Sequence, residues 1–180
     1  MRPIISGITS LFQYLQTYYE DPQPLRPLQC CHCGGITLWH HGHYDRKSDR
    51  ESQSATTTLN PIPISRFYCP TCHHTCSVLP ECIPPRRWYL WLVQQSAFVL
   101  KLAGHSCRHI SRLLLPSRYT LSRWWRQWRE RHPEFSFGLK TLRPSWGYTH
   151  DFQAFWQHCL SEVTLSQAMV WLNQLGVIVP

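Results

Sequence analysis

Acidic residues are scarce in this chain of 180 residues: 10 Asp and Glu stand against 18 Lys and Arg, for a net charge of +8. That balance disfavours a cationic partner and favours an anionic one, with nucleic acid first. A long apolar run is also missing. The most apolar stretch, Trp88 to Ala103, is broken by Gln94, Gln95, Ser96 and Lys101, too short and too polar for a bilayer span, so no membrane partner is expected. There is no internal repeat of solenoid period. Neither His-Glu-x-x-His nor His-x-Glu with a later Pro-Cys-x-x-Cys occurs, and no motif supports Ser-His-Asp chemistry, so an enzyme is not expected. The opening Met1-Arg2-Pro3 and the mixed segment through Tyr18 lack the apolar run and cleavage site of a secretory leader. The expectation is a cytoplasmic protein whose thiols are held by metal or buried.

What the chain does have is cysteine. It carries 9, an odd number, and four form two Cys-x-x-Cys pairs, Cys30 with Cys33 and Cys69 with Cys72. Within each pair one tight turn can aim two sulfurs at a single ion at about 2.3 Å, and four thiolates are the shell of one structural Zn2+. Gly34 and Gly35 after Cys33 suit such a turn, because Gly tolerates positive φ. Four Cys leave no open position for a zinc-bound water, so chemistry at the ion is not expected. His40, His41, His43, His73 and His74 flank the turns and read as surface residues. Cys107 and Cys159 fall in helical segments and read as small buried side chains.

Around the pairs, Ile36 to Tyr44 reads as a strand and Ile64 to Tyr68 as its partner. The polar join from Asp45 to Asn60 reads as a flexible loop at the hairpin tip. Upstream, Ile4, Ile8, Leu11, Phe12, Leu15 and Tyr18 keep helical spacing, predicting a helix over 4–19 with Ser6 as cap. Downstream, three prolines between Pro80 and Pro85 predict a stiff connector. Helices follow at Arg86 to Ala103, stopped by Gly104, at Ser106 to Leu114, and from a Ser117 cap to about His132, closed by Pro133. Asp151 and Thr164 cap two more. The fold class is α+β, mostly helical. A small zinc-ribbon hairpin precedes a helix-turn-helix and C-terminal helices: 1–27 N-terminal helix and linker, 28–80 ribbon, 81–135 helix-turn-helix, 136–180 tail.

The third of these helices has two faces. At 100° per residue, Leu121, Trp124, Trp125 and Trp128 share an apolar sector, and Arg118, Tyr119, Ser122, Arg123, Arg126 and Arg129 lie opposite. In a helix-turn-helix the start of the recognition helix reaches base edges in the major groove. Arg118, Tyr119, Thr120, Ser122 and Arg123 are the candidates for that role. Arg126 and Arg129, with Arg108 and Arg112 on the preceding helix, are candidates for phosphate.

The order Cys-x-x-Cys-Gly, Trp39-His40-His41-Gly42-His43-Tyr44, Arg66-Phe67-Tyr68-Cys69-Pro70-Thr71-Cys72, Ser77-Val78-Leu79-Pro80 and helix-turn-helix resembles the N-terminal zinc-ribbon module of bacterial insertion-sequence transposases and related mobile-element proteins. The likeness covers about residues 28–132. Pro116-Ser117-Arg118-Tyr119-Thr120-Leu121-Ser122-Arg123-Trp124 is similar to the Val-Ser-x-x-Thr-Val-x-Arg-Trp pattern of such helices. The resemblance implies Cys30, Cys33, Cys69 and Cys72 as zinc ligands and binding to double-stranded element ends. Two departures stand out. Thr75-Cys76 occupies the place of an aromatic, so Cys76, and also Cys31, compete as ligands. A transposase also needs a metal-binding acidic triad, and beyond Glu134 only Asp151 and Glu162 remain. The expectation is therefore a DNA-binding accessory or regulatory module without a catalytic domain, with a transposase or recombinase as candidate partner and a homodimer as candidate assembly. The alternative is an adaptor that recruits a recombinase through the ribbon and terminal helices. RNA binding through Trp39, Tyr44, Phe67 and Tyr68 is a third reading, and core packing of those rings is preferred to it.

Overall fold

Five helices open on a side-chain oxygen that closes their first turn. Ser10, Ser106, Ser117 and Asp151 accept from the backbone N–H of Gln13, His109, Thr120 and Ala154. Thr164 accepts from Gln167, whose side chain bonds back to complete a capping box. The structure is a computed structural model that describes residues 4–47, 61–85, 89–149 and 151–179. Among the described residues, six α-helices accompany a three-stranded antiparallel sheet and one short parallel pair, an α+β arrangement that is mostly helical. The chain divides into two units, Met1–Leu90 and Trp91–Val179.

The first unit holds β1 (Ile4–Ile5), α1 (Leu11–Glu20), β2 (Trp39–Arg46), β3 (Ile62–Tyr68), β4 (Thr75–Ser77) and β5 (Leu79–Pro80). β2 and β3 pair antiparallel from Trp39 opposite Tyr68 to Arg46 opposite Ile62, with a register shift between His40 and His43. β4 adds a third strand on the other side of β3, Phe67 facing Cys76. Ile62 and Ile64 point into a core with Ile8, Tyr14, Leu25, Leu79 and Ile83. Phe67 and Leu38 pack instead with Cys30, Cys69 and Cys76. The Asp45 to Asn60 loop falls mostly on residues 48–60, outside the described residues, and its first two residues belong to β2.

Two sequence expectations fail in this unit. The first helix starts at Leu11, not Ile4, because Ser10 rather than Ser6 supplies the cap. Ile4 is buried in β1, so apolar residues from a strand and a helix mimic one helical period. The buried helix face is Leu11, Tyr14, Leu15 and Tyr18, while Phe12 is exposed. Tyr14 Oη donates to the Pro63 carbonyl at 2.7 Å, tying α1 to β3. The proline-rich segment is interior and not a connector. Val78, Leu79, Glu81 and Ile83 are buried, Leu79 and Pro80 pair in parallel with Ile4 and Ile5, and the Glu81 carboxylate accepts from the Gly7 N–H at 3.0 Å. Proline is tolerated at the end of a strand in a two-stranded edge, where its missing N–H interrupts little of a ladder.

The second unit is helical: α2 (Trp91–Leu102), α3 (Cys107–Leu113), α4 (Arg118–Leu142), α5 (Phe152–Glu162) and α6 (Leu165–Gln174), with a 3-10 turn at Pro144–Tyr148. α2 begins at Trp91, and residues 86–88 of the expected helix lie outside the described residues. Phe98 of α2 is at the centre of the core, its ring centroid 4.0 Å from that of Trp128 and 5.3 Å from that of Trp156. α6 closes against α2, where the Gln95 side chain accepts from the Leu165 N–H at 2.8 Å.

Pro133 does not end α4, contrary to expectation; the helix runs on to Leu142. A proline inside a helix removes one N–H and crowds the carbonyl four residues back. Here that carbonyl belongs to Arg129, and both residues are exposed, so water can serve the freed group. The following turns bury Phe135, Ser136, Gly138 and Leu139. At Gly138 the approach to α6 is close enough that an added Cβ would stand 2.9 Å from Leu172 Cδ2.

Candidate functional site

The sequence forms two similar turns around the Cys pairs. In the first, the Gly34 N–H donates to the Cys30 carbonyl at 2.9 Å and the Cys30 N–H to the Gly35 carbonyl at 2.8 Å. In the second, the His73 N–H donates to the Cys69 carbonyl and the Cys69 N–H to the His74 carbonyl, both at 2.9 Å. The two turns thus share one bonding pattern, and the sulfurs of Cys30, Cys33, Cys69 and Cys72 lie within 4.8 Å of one another. Gly35 leaves room for this approach: a Cβ there would meet Cys33 Sγ at 3.4 Å and Cys69 Sγ at 3.7 Å.

These four residues can hold a metal ion. A tetrahedral ion with four bonds of about 2.3 Å separates its sulfurs by about 3.8 Å. Cys30 and Cys72 are 3.6 Å apart, as are Cys33 and Cys69, so these two edges of the cage match that length. Cys31 and Cys76 stand outside this group, though Cys76 Sγ is 3.6 Å from Cys30 Sγ.

The electrostatics of the cage divide each turn in the same way. The Cys33 N–H, and after it the His32 N–H, favours the Cys30 thiolate and draws that thiol down to about 5. The Cys72 N–H draws Cys69 down likewise. At Cys33 the Gly35 N–H pulls the same way, but desolvation and the neighbouring thiols of Cys69 and Cys30 outweigh it and push the group up. At Cys72 the His74 N–H is outweighed similarly, by desolvation and by Cys33, Cys30 and Cys69, up to about 12. Four thiolates so close repel one another, and a divalent cation removes that conflict.

Two contacts around the cage were not anticipated. Tyr68 Oη and His73 Nδ1 are 2.6 Å apart, and the rings of His32 and His74, one from each turn, stack with centroids 4.4 Å apart. The signal lay in the alignment of Cys33-Gly34-Gly35 with Cys72-His73-His74. His73 and His74 are exposed, as the sequence expected, and make these contacts at the surface of the turns.

The Arg-bearing face lies in the second unit. α3 and α4 are joined by residues 114–117, and Ser117 Oγ accepts the Thr120 N–H at 3.3 Å. Leu121, Trp124 and Trp128 are buried together with Ile110 of α3, and Trp125 is half-buried. Arg118, Tyr119, Ser122, Arg123, Arg126 and Arg129 are all exposed on α4, with Thr120 half-buried beside them; Arg108 and Arg112 are exposed on α3. Arg118 Nη2 donates to Tyr119 Oη at 2.7 Å. Glu130 approaches Arg126 at 4.0 Å, with both side chains well exposed, a pair of little energetic weight.

No family model, curated protein or solved structure matches the chain. Among the described residues no helix is long and apolar enough to cross a membrane.

Proposed function

We propose that the chain is a zinc-bearing, DNA-binding protein of a mobile element, an accessory or regulatory module without catalytic activity of its own. One observation carries the reading. A capped helix, α4, follows a short helix and a tight turn, buries Leu121, Trp124 and Trp128, and leaves four arginines, a tyrosine and a serine exposed on its other side. Such a helix fits the major groove, with Arg118, Tyr119, Thr120, Ser122 and Arg123 at base edges. Arg126, Arg129, Arg108 and Arg112 meet phosphate. The excess of basic residues supports an anionic partner.

Zinc is the ion best suited to the cage, because four thiolates in tetrahedral array select zinc or iron among common metals. Its role is structural: it ties together a sheet too small to be held by burial alone. The likeness of the Cys pairs and of the Ser117 to Trp124 turn to transposase modules supports the mobile-element setting, with a transposase or recombinase as protein partner, a second copy of the chain on a two-fold site, and the cytoplasm as location.

The test is titration of the purified protein against duplex DNA pools at rising salt, with metal analysis of the same preparation. Binding whose affinity falls with salt by a slope of several units, and one zinc per chain, are expected. Salt-independent or absent binding removes the DNA reading, and iron or no metal in the cage removes zinc.

A further inference from the structure

A second pair of thiols lies against the metal cage without belonging to it. Cys31 Sγ and Cys76 Sγ are 3.0 Å apart, and the Cys31 backbone N–H also donates to Cys76 Sγ, at 3.2 Å. The two residues reach this contact from different elements. Cys31 is in the first metal turn, and Cys76 is fixed in β4, opposite Phe67 of β3. Their exposure differs in a useful way, since Cys31 is half-buried and Cys76 is 1% exposed. A small oxidant can therefore reach one sulfur, and the other waits beside it.

We infer that Cys31 and Cys76 form an oxidisable dithiol, a modification site at which a hydroperoxide makes a disulfide while the four neighbouring cysteines stay on their metal. The Cys31 sulfur attacks the outer oxygen of the peroxide and the O–O bond breaks. Cys31 becomes a sulfenic acid, and its thiol proton leaves with the released alcohol, or water when the oxidant is hydrogen peroxide. The Cys76 sulfur then attacks the Cys31 sulfur, the S–O bond breaks, and hydroxide leaves with the Cys76 proton as water. Two thiols are oxidised by two electrons, and one peroxide is reduced. Closing the bond requires the sulfurs to approach by about 1 Å, to the normal S–S length of about 2.05 Å.

The inference rests on the metal reading, because Cys30 Sγ lies 3.6 Å from Cys76 Sγ. A free Cys30 thiolate would attack the new disulfide and reshuffle it; a metal-bound one is held back. The product links the first metal turn covalently to β4, in parallel with the link made by the ion. Cys82, Cys107 and Cys159 lie in three other segments of the chain and serve as internal controls.

The experiment treats the purified, zinc-loaded full chain with hydrogen peroxide, follows zinc release with a chromophoric chelator, and maps disulfides by alkylation and peptide mass analysis. The expected result is a Cys31–Cys76 crosslinked peptide, lighter by two hydrogens, appearing before zinc is released. In Cys31→Ser the crosslink is lost and zinc stays bound at one per chain before treatment. A wild-type chain that holds zinc but keeps Cys31 and Cys76 open to alkylation throughout would overturn the inference alone. So would a first disulfide among Cys30, Cys33, Cys69 and Cys72 that coincides with zinc release. A chain that takes up no zinc overturns the metal reading and this inference with it.

Discussion

Gly34 and His73 occupy the same place in the two Cys-x-x-Cys turns, directly after the second cysteine, and both are left-handed, with φ of +75° and +60°. Glycine reaches that conformation freely, whereas a residue with a Cβ gives up roughly 1–2 kcal/mol there. The second turn therefore carries strain that the first does not, and the His73 ring finds a compensating partner in Tyr68 Oη. Gly34→Ala is expected to lower the stability of the zinc-loaded first unit by about 1–2 kcal/mol. His73→Ala keeps the strain and loses the partner, so it should cost more than His73→Gly, which releases the strain. Urea midpoints of the three zinc-loaded variants check this, and a His73→Gly variant less stable than His73→Ala would contradict it.

Removal of the metal should act on one unit far more than on the other. The cage ties β3 and β4 to the first turn, and Cys30 and Cys69 are themselves core residues beside Leu38 and Phe67. Among the described residues, all α-helices except α1 lie in the second unit, which has its own aromatic core. Chelation, or Cys69→Ser, is expected to abolish the protected amides of β2 to β4 in hydrogen exchange while leaving those of α2, α4 and α6 protected. Uniform loss of protection across both units, or none in the first, would show that the cage does not organise the sheet.

Much of this was legible in the sequence, for identifiable reasons. Ser106, Ser117, Asp151 and Thr164 announce helix starts because their short side chains can bond the backbone three residues on, and all four do so. The two Cys pairs announce the cage because their spacing is a local property of one turn. What could not be read depended on partners distant in the chain. Pro80 looks like part of a linker until Ile5, far upstream, is found beside it. Tyr14 looks like one more polar-tipped residue until the Pro63 carbonyl is found to receive its hydroxyl. Pro133 stops a helix by local rules, and only the burial of Phe135 and Leu139 shows why α4 continues.

That continuation makes Pro133→Ala a stabilising substitution. It restores an N–H to the Arg129 carbonyl and removes the ring clash, an interior cost of about 3 kcal/mol. Against this, the unfolded chain gains freedom worth about 0.4–1 kcal/mol. The net expectation is a gain of about 2–2.6 kcal/mol, read as a higher thermal midpoint of the second unit. An unchanged or lower midpoint would mean that Pro133 itself supports the packing of Gly138 on Leu172.

His132 should give the second unit a pH dependence. Burial holds its imidazole below the usual value, Lys140 lowers it further, and Asp151 opposes them weakly. Its Nδ1 is buried without a hydrogen-bond partner, and its ring lies against Phe152 and Phe155. A histidine depressed in the folded state binds fewer protons there than in the unfolded state, so stability rises with pH. The contribution is full above the ordinary imidazole value of about 6.5 and is lost as pH falls from there toward the depressed folded value. Thermal midpoints measured downward from neutral pH should fall, and His132→Leu should flatten the fall. A wild-type slope that persists in His132→Leu would assign the effect elsewhere.

Arg123 and Arg129 are both exposed on α4, yet they should behave differently toward DNA. Arg123 is in the second turn from the Ser117 cap, where a recognition helix lies deepest in the groove. Arg129 is nearly two turns further on, where a recognition helix leaves the groove and passes the backbone. Arg123→Ala is expected to weaken binding to a selected site by about 1–3 kcal/mol and to relax preference at one base pair. Arg129→Ala should weaken all duplexes alike and reduce the salt slope by about one unit. Both side chains point to solvent, so neither change should shift the thermal midpoint, which separates a lost contact from a lost fold. Parallel titrations against the selected duplex and a scrambled one, at several salt concentrations, distinguish the two. Equal affinity of both variants and the wild type would mean that this face of α4 does not touch DNA.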